Sequence, residues 1–180
     1  MKKILFLFTP VVIGMALLAS CNGGAKTGAT TAAKTDSTPM AYKASYSSAF
    51  TISDSAKNVS EVLQSYKDWE DNKMANGSAY FADTIAWDNS GGGHVVLKRD
   101  SMIHYWQKFR DSLASSKIEL ISAVNLHSTD KNADWVSVWY KQIDTYKTGK
   151  VDSNFYNDVN NIVKGKIVYI TSFKQALKKK

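Results

Sequence analysis

Residues 117–146 read KIELISAVNLHSTDKNADWVSVWYKQIDTY. Apolar and polar side chains alternate with a period of two on either side of DKNAD, residues 130–134. This period is typical of a β-strand with one covered face, and the polar segment between the two runs predicts a hairpin turn. The pattern continues through residues 151–163 and 166–177, with the turn sequences KTGK and KGK between the runs. The second half of the chain therefore predicts four long antiparallel strands.

A helical pattern precedes these strands. Asp54 and Ser55 come directly before it, and either side chain can cap the free amides of a first turn. The run ends before the breaker Asn76-Gly77. Its apolar residues share one helical face and so predict a first helix: Val59, Val62, Leu63, Tyr66 and Trp69.

Shorter elements lie between this helix and the long strands. SAYFA, residues 78–82, predicts a short second helix or a turn. TIAWD (84–88) and HVVLK (94–98) predict two short strands around the loop SGGG. A third helix begins near Arg99 or Asp100 and keeps one apolar face. We expect its opposite face, Arg99, Lys108, Arg110 and Asp111, to contact water.

The order of these elements predicts the fold class. Helices grouped first and strands grouped last are typical of an α+β domain. A long antiparallel meander must cover one of its faces, and the three N-terminal helices are the available cover. We therefore expect a cone-shaped domain in which a strongly curved antiparallel sheet wraps over three helices and leaves an open mouth.

The N-terminus predicts an export signal and a lipid anchor. Lys2 and Lys3 are followed by an apolar stretch, residues 4–19, which is typical of a secretory signal peptide. The stretch is short for a membrane span, which needs about 20 apolar residues. LASC, residues 18–21, resembles the lipobox of bacterial lipoproteins, in which the cysteine is lipidated and becomes the mature N-terminus. The alternative is an ordinary cleaved signal with an incidental cysteine.

These features predict three segments. Residues 1–20 form a lipoprotein signal peptide, residues 21–53 a flexible tether that starts at lipidated Cys21, and residues 54–180 the folded domain. The tether is rich in Gly, Ala, Ser and Thr and has little to bury. As an alternative for its last part, the alternation of Tyr42, Tyr46 and Phe50 allows it to dock as an edge segment. The protein would be exported and anchored to a membrane of the bacterial cell envelope, at the outer membrane or the periplasmic face.

Composition excludes several other classes of function. The formal net charge is +7, but two of the lysines belong to the signal peptide and three form the terminal run 178–180. The domain is therefore close to balanced, and no nucleic-acid partner is expected. The single cysteine excludes an internal disulfide and a cysteine-based zinc site. No two of the three histidines have the spacing of a helical metal site, and we expect neither a metal nor another cofactor.

Four segments carry a resemblance to a known family. They are LQSYKDWEDN (63–72), YFADTIAWDN (80–89), DWVSVWY (134–140) and KGKIVYI (164–170). In this order they resemble the nuclear transport factor 2-like superfamily and, within it, the SnoaL-like and ketosteroid-isomerase-like domains, over residues 57–176. The resemblance implies a cone-shaped α+β barrel with a pocket between helices and sheet, often dimerised through the sheet.

The resemblance also implies positions for catalytic groups. Isomerases of the superfamily use a tyrosine on the first helix as an oxyanion donor, and Tyr66 matches it. They use an aspartate base at the end of the first strand, where the matching residue is Asn89, with Asp88 one position away. They use a second acid on a later strand, where the matching residue is Asn157, with Asp158 adjacent. Since asparagine is not a general base, these departures argue against isomerase chemistry.

The residues themselves leave two interpretations of Asp88. It is either a pocket base whose pKa is raised by apolar neighbours such as Trp87, or a solvated turn residue before NSGGG. Tyr66 on its apolar helix face is either a core residue or a ligand contact. Further residues are candidates for the lining of the pocket: Trp69, Trp87, His94, Trp106, Tyr140 and Asn157.

Three hypotheses for function follow. The first is a membrane-anchored domain that binds a small, largely apolar ligand in its cone. The second is an interaction or dimerisation module whose cone is filled by its own aromatic side chains, with a homodimer formed through the sheet. The third is a SnoaL-like or ketosteroid-isomerase-like isomerase or cyclase, which requires a carboxylate that points inward beside Tyr66. The volume of the pocket separates the first from the second.

Overall fold

The computed structural model describes residues 41–177 of the 180-residue chain. The predicted signal peptide, the lipidation site Cys21 and most of the predicted tether lie outside the described residues. No helix between residues 41 and 177 is long and apolar enough to cross a membrane.

Helices and strands follow one another in nearly the predicted order. The first part contains β1 (Phe50–Ile52), α1 (Ala56–Glu70), a 3-10 helix (Met74–Ala79), β2 (Phe81–Asp88), β3 (His94–Lys98) and α2 (Arg99–Arg110). The second part contains β4 (Leu113–Ser128), β5 (Ala133–Tyr146), β6 (Val151–Val163) and β7 (Lys166–Ala176). The short second helix begins earlier than SAYFA predicts and is of the 3-10 type, and Phe81 already belongs to β2.

Within residues 41–177 the strands form one curved, seven-stranded sheet in the order β1-β4-β5-β6-β7-β2-β3. Its two end strands do not pair, so the sheet is not closed into a barrel. Seven strands beside few helices confirm the α+β class. The expectation of a wholly antiparallel sheet needs one correction, because β2 runs parallel to β7. In the sequence, β3, α2 and the strands β4 to β6 lie between β2 and β7. The two strands are therefore not joined by a hairpin, and they can pair in parallel.

The core lies between the helices and the inner face of the sheet. α1 packs on β4 and β5, and α2 packs on β2, β3 and the 3-10 helix. Val62 of α1, Met102 of α2 and Ile85 of β2 are fully buried there. Burying each such side chain stabilises a fold by about 1.5–3 kcal/mol, so the two apolar helix faces hold the helices against the sheet.

The folded part extends into the segment predicted as tether. β1 pairs antiparallel with the end of β4, with Phe50 opposite Ser128 and Ile52 opposite Leu126. The Tyr46 ring also meets the Trp135 ring edge to face at 5.6 Å. The end of this segment is thus an edge strand of the sheet, as the alternative interpretation of Tyr42, Tyr46 and Phe50 allows.

Arg110 differs from its predicted position. We expected it to face water, but it is 5% exposed. Its Nε donates to the carbonyl of Trp69 at 2.8 Å and one of its terminal nitrogens donates to the carbonyl of Glu70 at 3.0 Å. The last carbonyls of a helix have no partner within the helix, and an arginine fork can satisfy two of them. Arg110 therefore caps the C-terminus of α1 from α2. At the other end, Ser55 occupies the N-cap position without a side-chain capping bond.

Candidate functional site

An open cavity of about 820 Å³ lies between the helices and the inner face of the sheet. Its volume is within the range of about 300–1,000 Å³ that is usual for small-molecule sites. The cavity is not filled by its own aromatic side chains, which disfavours the filled-cone hypothesis. The aromatic residues that line it are Tyr66, Trp69, Phe81, Trp87, Tyr105, Trp106, Phe109, Tyr140 and Tyr156.

The cavity has a buried end and an exposed end. Tyr140, Asp158 and Asn160 are buried, whereas Tyr105 and Phe109 are about half exposed. The spacing of residues along β6 and along α2 explains which side chains lie at each end. Tyr156, Asp158 and Asn160 are two residues apart on β6 and therefore share its inner face. Tyr105 and Phe109 are four residues apart on α2 and share one side of that helix.

Asp158 is the polar centre of the buried end. It is only 6% exposed. The hydroxyls of Tyr66 on α1 and Tyr140 on β5 both donate to its Oδ2, each at 2.8 Å. Among residues 41–177, no group makes a hydrogen bond to Oδ1. Oδ2 is therefore engaged by two phenols, while Oδ1 is buried and accepts no hydrogen bond within residues 41–177.

Burial controls the protonation of this group. It raises the pKa of Asp158, and the hydrogen bonds from Tyr66 and Tyr140 lower that pKa only in part. Burial also raises the pKa of Tyr66 and of Tyr140 well above the ordinary tyrosine value, and the neighbouring carboxylate raises both further. Both phenols are therefore protonated donors at neutral pH, and the carboxyl retains its proton to a higher pH than an exposed aspartate.

The surroundings of Asp158 provide polarity but no positive charge. Ser172 lies opposite it on β7. The Ser172 hydroxyl lowers the pKa of Asp158 without reaching hydrogen-bonding geometry with Oδ1, and it accepts a bond from Trp87 Nε1 at 3.3 Å. In the described part of the chain Asp158 has no ion pair. Lys108 lines the cavity as well, but on an exposed position of α2.

Asp88 does not line the cavity. It lies on the outer face of the sheet, where its Oδ1 is 2.5 Å from His94 Nδ1 and its Oδ2 accepts a hydrogen bond from the Tyr169 hydroxyl. The hydrogen bonds from Tyr169 and His94 lower the pKa of Asp88. This is the opposite of the raised pKa that a pocket base would need, so the interpretation of Asp88 as that base is corrected.

Asn89 takes the inward position at the end of β2. It lines the cavity, and its side-chain Oδ1 accepts hydrogen bonds from the amides of Gly91 at 2.9 Å and Gly93 at 3.2 Å. The turn chemistry of the glycine loop therefore belongs to Asn89 rather than to Asp88. The residue that the resemblance matches to the isomerase base is an amide in the right place, without a titratable group.

On β6 the expected register is shifted by one residue. Asn157, predicted to line the pocket, faces outward and donates to Ser137 Oγ at 3.0 Å. Asp158 faces inward instead. Since side chains of a strand alternate between its faces, an error of one residue exchanges inner and outer positions. The inward carboxylate that the isomerase hypothesis requires is therefore present beside Tyr66.

Most of the other candidate residues line the cavity, but the histidines do not. Tyr66, Trp69, Trp87, Trp106 and Tyr140 line the cavity. All three histidines are within the described range and none of them lines it; His94 is an exposed residue of the outer face. Sequence reasoning missed Phe81, Tyr156, Asn160 and Ser172 as lining residues. The alternation along residues 156–160 was the available signal for two of them.

Trp69 is held in place by a chain of buried polar groups. Its Nε1 donates to Ser116 Oγ at 3.0 Å, and that hydroxyl donates to Asp144 Oδ1 at 2.6 Å. Gln142, which lines the cavity, donates to the same carboxylate. These bonds fix the wall of the cavity between α1 and β5. Within residues 41–177 no cluster of three or more His, Cys, Asp or Glu side chains is arranged to hold a metal ion.

A scan against protein-family models found no match, and a search of curated proteins found no significant match. Solved structures, in contrast, share the fold. An LEH-like epoxide hydrolase from M. tuberculosis is 8% identical, with a TM-score of 0.56 over 66% of this chain and 83% of that one. A protein assigned as a polyketide cyclase from Acidithiobacillus ferrooxidans is 12% identical, with a TM-score of 0.56 over 69% of this chain and 92% of that one.

A third structure, of an NTF2-like protein of unknown function from Burkholderia pseudomallei, is 16% identical, with a TM-score of 0.54 over 67% of this chain and 92% of that one. At such identities the similarity is one of fold and does not extend to activity. The resemblance seen in the sequence is thereby confirmed at this level: the chain has the nuclear transport factor 2-like fold, as the SnoaL-like polyketide cyclases have.

Proposed function

We propose that this protein binds a small, largely apolar molecule in the cavity, with one polar group of the ligand held at Asp158. The observation that carries the proposal is an open cavity of about 820 Å³ with largely aromatic walls and the buried carboxyl of Asp158 at its inner end. A cavity with mostly apolar walls and a few polar groups is typical of sites that bind small molecules. The aromatic lining supplies the apolar contact area.

Native mass spectrometry of the protein purified from its own host tests the proposal. A retained molecule should appear as an added mass on the wild-type chain and should be lost or reduced in Asp158→Asn. Asn157→Ala is the matched control, because this neighbouring side chain lies on the opposite face of the same strand. Equal retention by wild type and Asp158→Asn would contradict the assigned role of Asp158. If no bound molecule is retained and no apolar probe is taken up, the binding function itself is wrong.

A second candidate function is proton-transfer chemistry of the isomerase or cyclase type. The inward carboxyl of Asp158 beside Tyr66 favours it, since a buried carboxyl with a raised pKa can give a proton as well as take one. With Asn89 at the end of β2, Asp158 would act without a second carboxylate from that strand. Exchange of α-protons of a bound ketone with deuterium, followed by NMR, tests this. Wild-type exchange no faster than that of Asp158→Asn would exclude it.

The location of the protein is part of the same proposal. The LASC sequence at residues 18–21 supports lipidation of Cys21 and attachment to a membrane of the cell envelope. Labelling of the expressed protein with a palmitate analogue tests this, and Cys21→Ser should abolish the label and release the protein from the membrane fraction. Label that persists in Cys21→Ser would contradict the anchor.

A further inference from the structure

The exposed end of the cavity is formed by aromatic side chains of α2. Tyr105 and Phe109 line the cavity, yet they are 50% and 46% exposed. The Tyr105 ring meets the ring of Trp87 in the wall at 6.2 Å, and the Phe109 ring is stacked on Trp69 at 5.9 Å. Phe109 also meets the Tyr146 ring of β5 at 6.4 Å. The apolar wall of the cavity therefore continues outward onto the surface of the domain, and exposed apolar surface beside a pocket is typical of an interaction site.

Three exposed lysines lie around this aromatic surface. Lys108 belongs to α2 and lines the cavity at its exposed end. The turn between β5 and β6 supplies the other two. The Lys147 amide donates to the carbonyl of Ser112, a lining residue, at 3.1 Å, and Lys150 Nζ lies 5.5 Å from the centre of the Tyr146 ring. We call the following residues the rim: Tyr105, Lys108, Phe109, Lys147 and Lys150.

The acidic groups near the rim do not cancel its charge. Asp152, which follows the turn between β5 and β6, is paired with Lys174 at 3.8 Å. At the end of α1, the carboxylates of Glu70 and Asp71 are paired with lysines at 2.9–3.6 Å. Asp111 is exposed and has no ion pair in the described part of the chain. Three exposed lysines beside this one acid give the rim a net positive charge.

Aromatic rings and lysines side by side fit the surface of an anionic membrane. Tyrosine and phenylalanine rings lie at the boundary between headgroups and acyl chains, and lysines extend from there toward the phosphates. Each lysine close to an anionic membrane strengthens binding roughly 5-fold, and added salt weakens this attraction. The charge and the exposed apolar surface of the rim are therefore both complementary to such a membrane.

The proposed lipid anchor would hold the rim close to a membrane. Cys21 lies 20 positions before Ala41, the first described residue, and the sequence predicts a tether between them. Flexible chains of about 20 residues span roughly 25 Å between their ends. A domain tethered at this distance meets the membrane at a high effective concentration, so that a weak attraction is sufficient for docking.

We propose that the rim docks on the anionic surface of the membrane that carries the anchor, so that the cavity opens toward the lipid. The inference rests on the proposed location of the protein and goes beyond the binding function. The rings of Tyr105 and Phe109 contact the boundary of the acyl chains, while Lys108, Lys147 and Lys150 contact lipid phosphates. An apolar ligand then passes between the bilayer and the cavity without crossing water, where its solubility is low.

Co-sedimentation with large vesicles tests the inference. The protein used is the mature chain, residues 21–180, with Cys21→Ser, so that no acyl group contributes to binding. We expect it to bind vesicles of phosphatidylglycerol and phosphatidylcholine in equal parts at least about 10-fold more tightly than vesicles of phosphatidylcholine alone. About 0.5 M NaCl should remove most of this preference. Equal binding to both vesicles, or none to either, overturns the docking, whereas native mass spectrometry still judges the binding function.

Matched substitutions test whether the rim is the surface that docks. Lys147→Gln together with Lys150→Gln should weaken binding to the anionic vesicles about 10-fold. Lys131→Gln together with Lys164→Gln removes the same charge from exposed turns at the opposite ends of the strands and should change binding less than about 2-fold. Equal losses in the two double variants contradict the docking. So does binding that both variants keep and that removal of the terminal lysines, residues 178–180, abolishes.

A fluorescent label reports the contact directly. Cys21 is the single cysteine of the chain, so the Cys21→Ser protein accepts one new labelling site. A polarity-sensitive dye attached at Lys108→Cys should shift its emission to shorter wavelength on anionic vesicles, because the rim leaves water there. The same dye at Lys131→Cys should not shift. No shift at the first position, or an equal shift at both, overturns the inference.

Discussion

The hydroxyl of Tyr66 lies 2.8 Å from Oδ2 of Asp158, although the two residues are 92 positions apart in the sequence. The contact joins the first helix to the third strand of the meander. It places a titratable group with a raised pKa at the end of an aromatic cavity. The stability of the domain should therefore depend on the charge of this one carboxyl.

The first prediction concerns the pH dependence of stability. Because the folded-state pKa of Asp158 is raised above the ordinary value of 3.8, the folded state binds more protons than the unfolded state above that pH. Wild-type stability should fall as pH rises from about 3.8 to the raised pKa, by about 1.4 kcal/mol for each unit by which the pKa is raised. Asp158→Asn should lack this loss. Urea unfolding of both proteins from pH 4 to pH 8 measures the difference, and a constant difference would contradict it.

A second prediction concerns the two phenols. Tyr66→Phe and Tyr140→Phe should each lower the free energy of unfolding by about 1 kcal/mol, because each removes one buried hydrogen bond to Asp158. Each should also raise the pKa of Asp158 further, since those bonds lower it. Tyr156→Phe is the control, because this tyrosine shares the cavity and stacks on Tyr140 without bonding to Asp158. NMR titration of the Asp158 carboxyl carbon reports the pKa, and an equal change in all three variants would be the contrary result.

Arg110 allows a test of helix capping across the domain. Arg110→Ala removes two side-chain donors to the last carbonyls of α1 and should cost about 1–3 kcal/mol, because the Glu70 carbonyl loses the donor from Arg110 and the Trp69 carbonyl keeps only the Asn72 amide at 3.2 Å. Arg110→Lys keeps the charge but not the planar fork and should recover only part of this loss. Lys108→Ala, on an exposed position of the same helix, should change stability by less than about 0.5 kcal/mol. Urea unfolding compares the three, and a loss in Lys108→Ala equal to that in Arg110→Ala would argue against the cap.

The outer face of the sheet carries the prediction of a homodimer. Trp139, Asn157 and Phe173 form one row across β5, β6 and β7, and Trp139 and Phe173 are 39% and 60% exposed. Light scattering should find a dimer that Trp139→Lys or Phe173→Lys converts to a monomer, since a lysine on each copy adds repulsion in an apolar contact. Tyr105→Lys, at an exposed aromatic residue of α2, should leave the dimer intact. A wild-type monomer at high micromolar concentration would contradict the prediction.

Asp88 supplies a prediction of no effect on binding. Asp88→Asn should leave ligand retention unchanged, because the residue lies on the outer face with His94 and Tyr169. Its lowered pKa means that its contribution to stability is present above pH 3.8 and is lost as pH falls through the lowered value. Native mass spectrometry and acid unfolding measure the two effects. Loss of the bound molecule in Asp88→Asn would reinstate Asp88 as a site residue.

The sequence by itself determined the class of the fold and most of the cavity wall. The period of two over residues 117–177 and the single apolar faces of two helices are local signals, and they depend only on whether neighbouring residues are apolar or polar. Because an apolar helix face must turn toward the covered side of a sheet, Tyr66, Trp69 and Trp106 could be expected at their interface. Five of the predicted lining residues are there.

Only the tertiary structure decided which polar groups enter the cavity. Asp158 and Asn157 differ by one position, as Asn89 and Asp88 do, and the face each occupies depends on pairing with strands far away in the sequence. Ile121 lies where the pairing of β4 shifts register, which changes the face assigned to every later residue of that strand. Arg110 reads as a solvent-facing charge because its acceptors belong to another helix. The period of two in a strand shows that side chains alternate between its faces but does not show which face is the inner one. Contacts with residues far away in the sequence decide that.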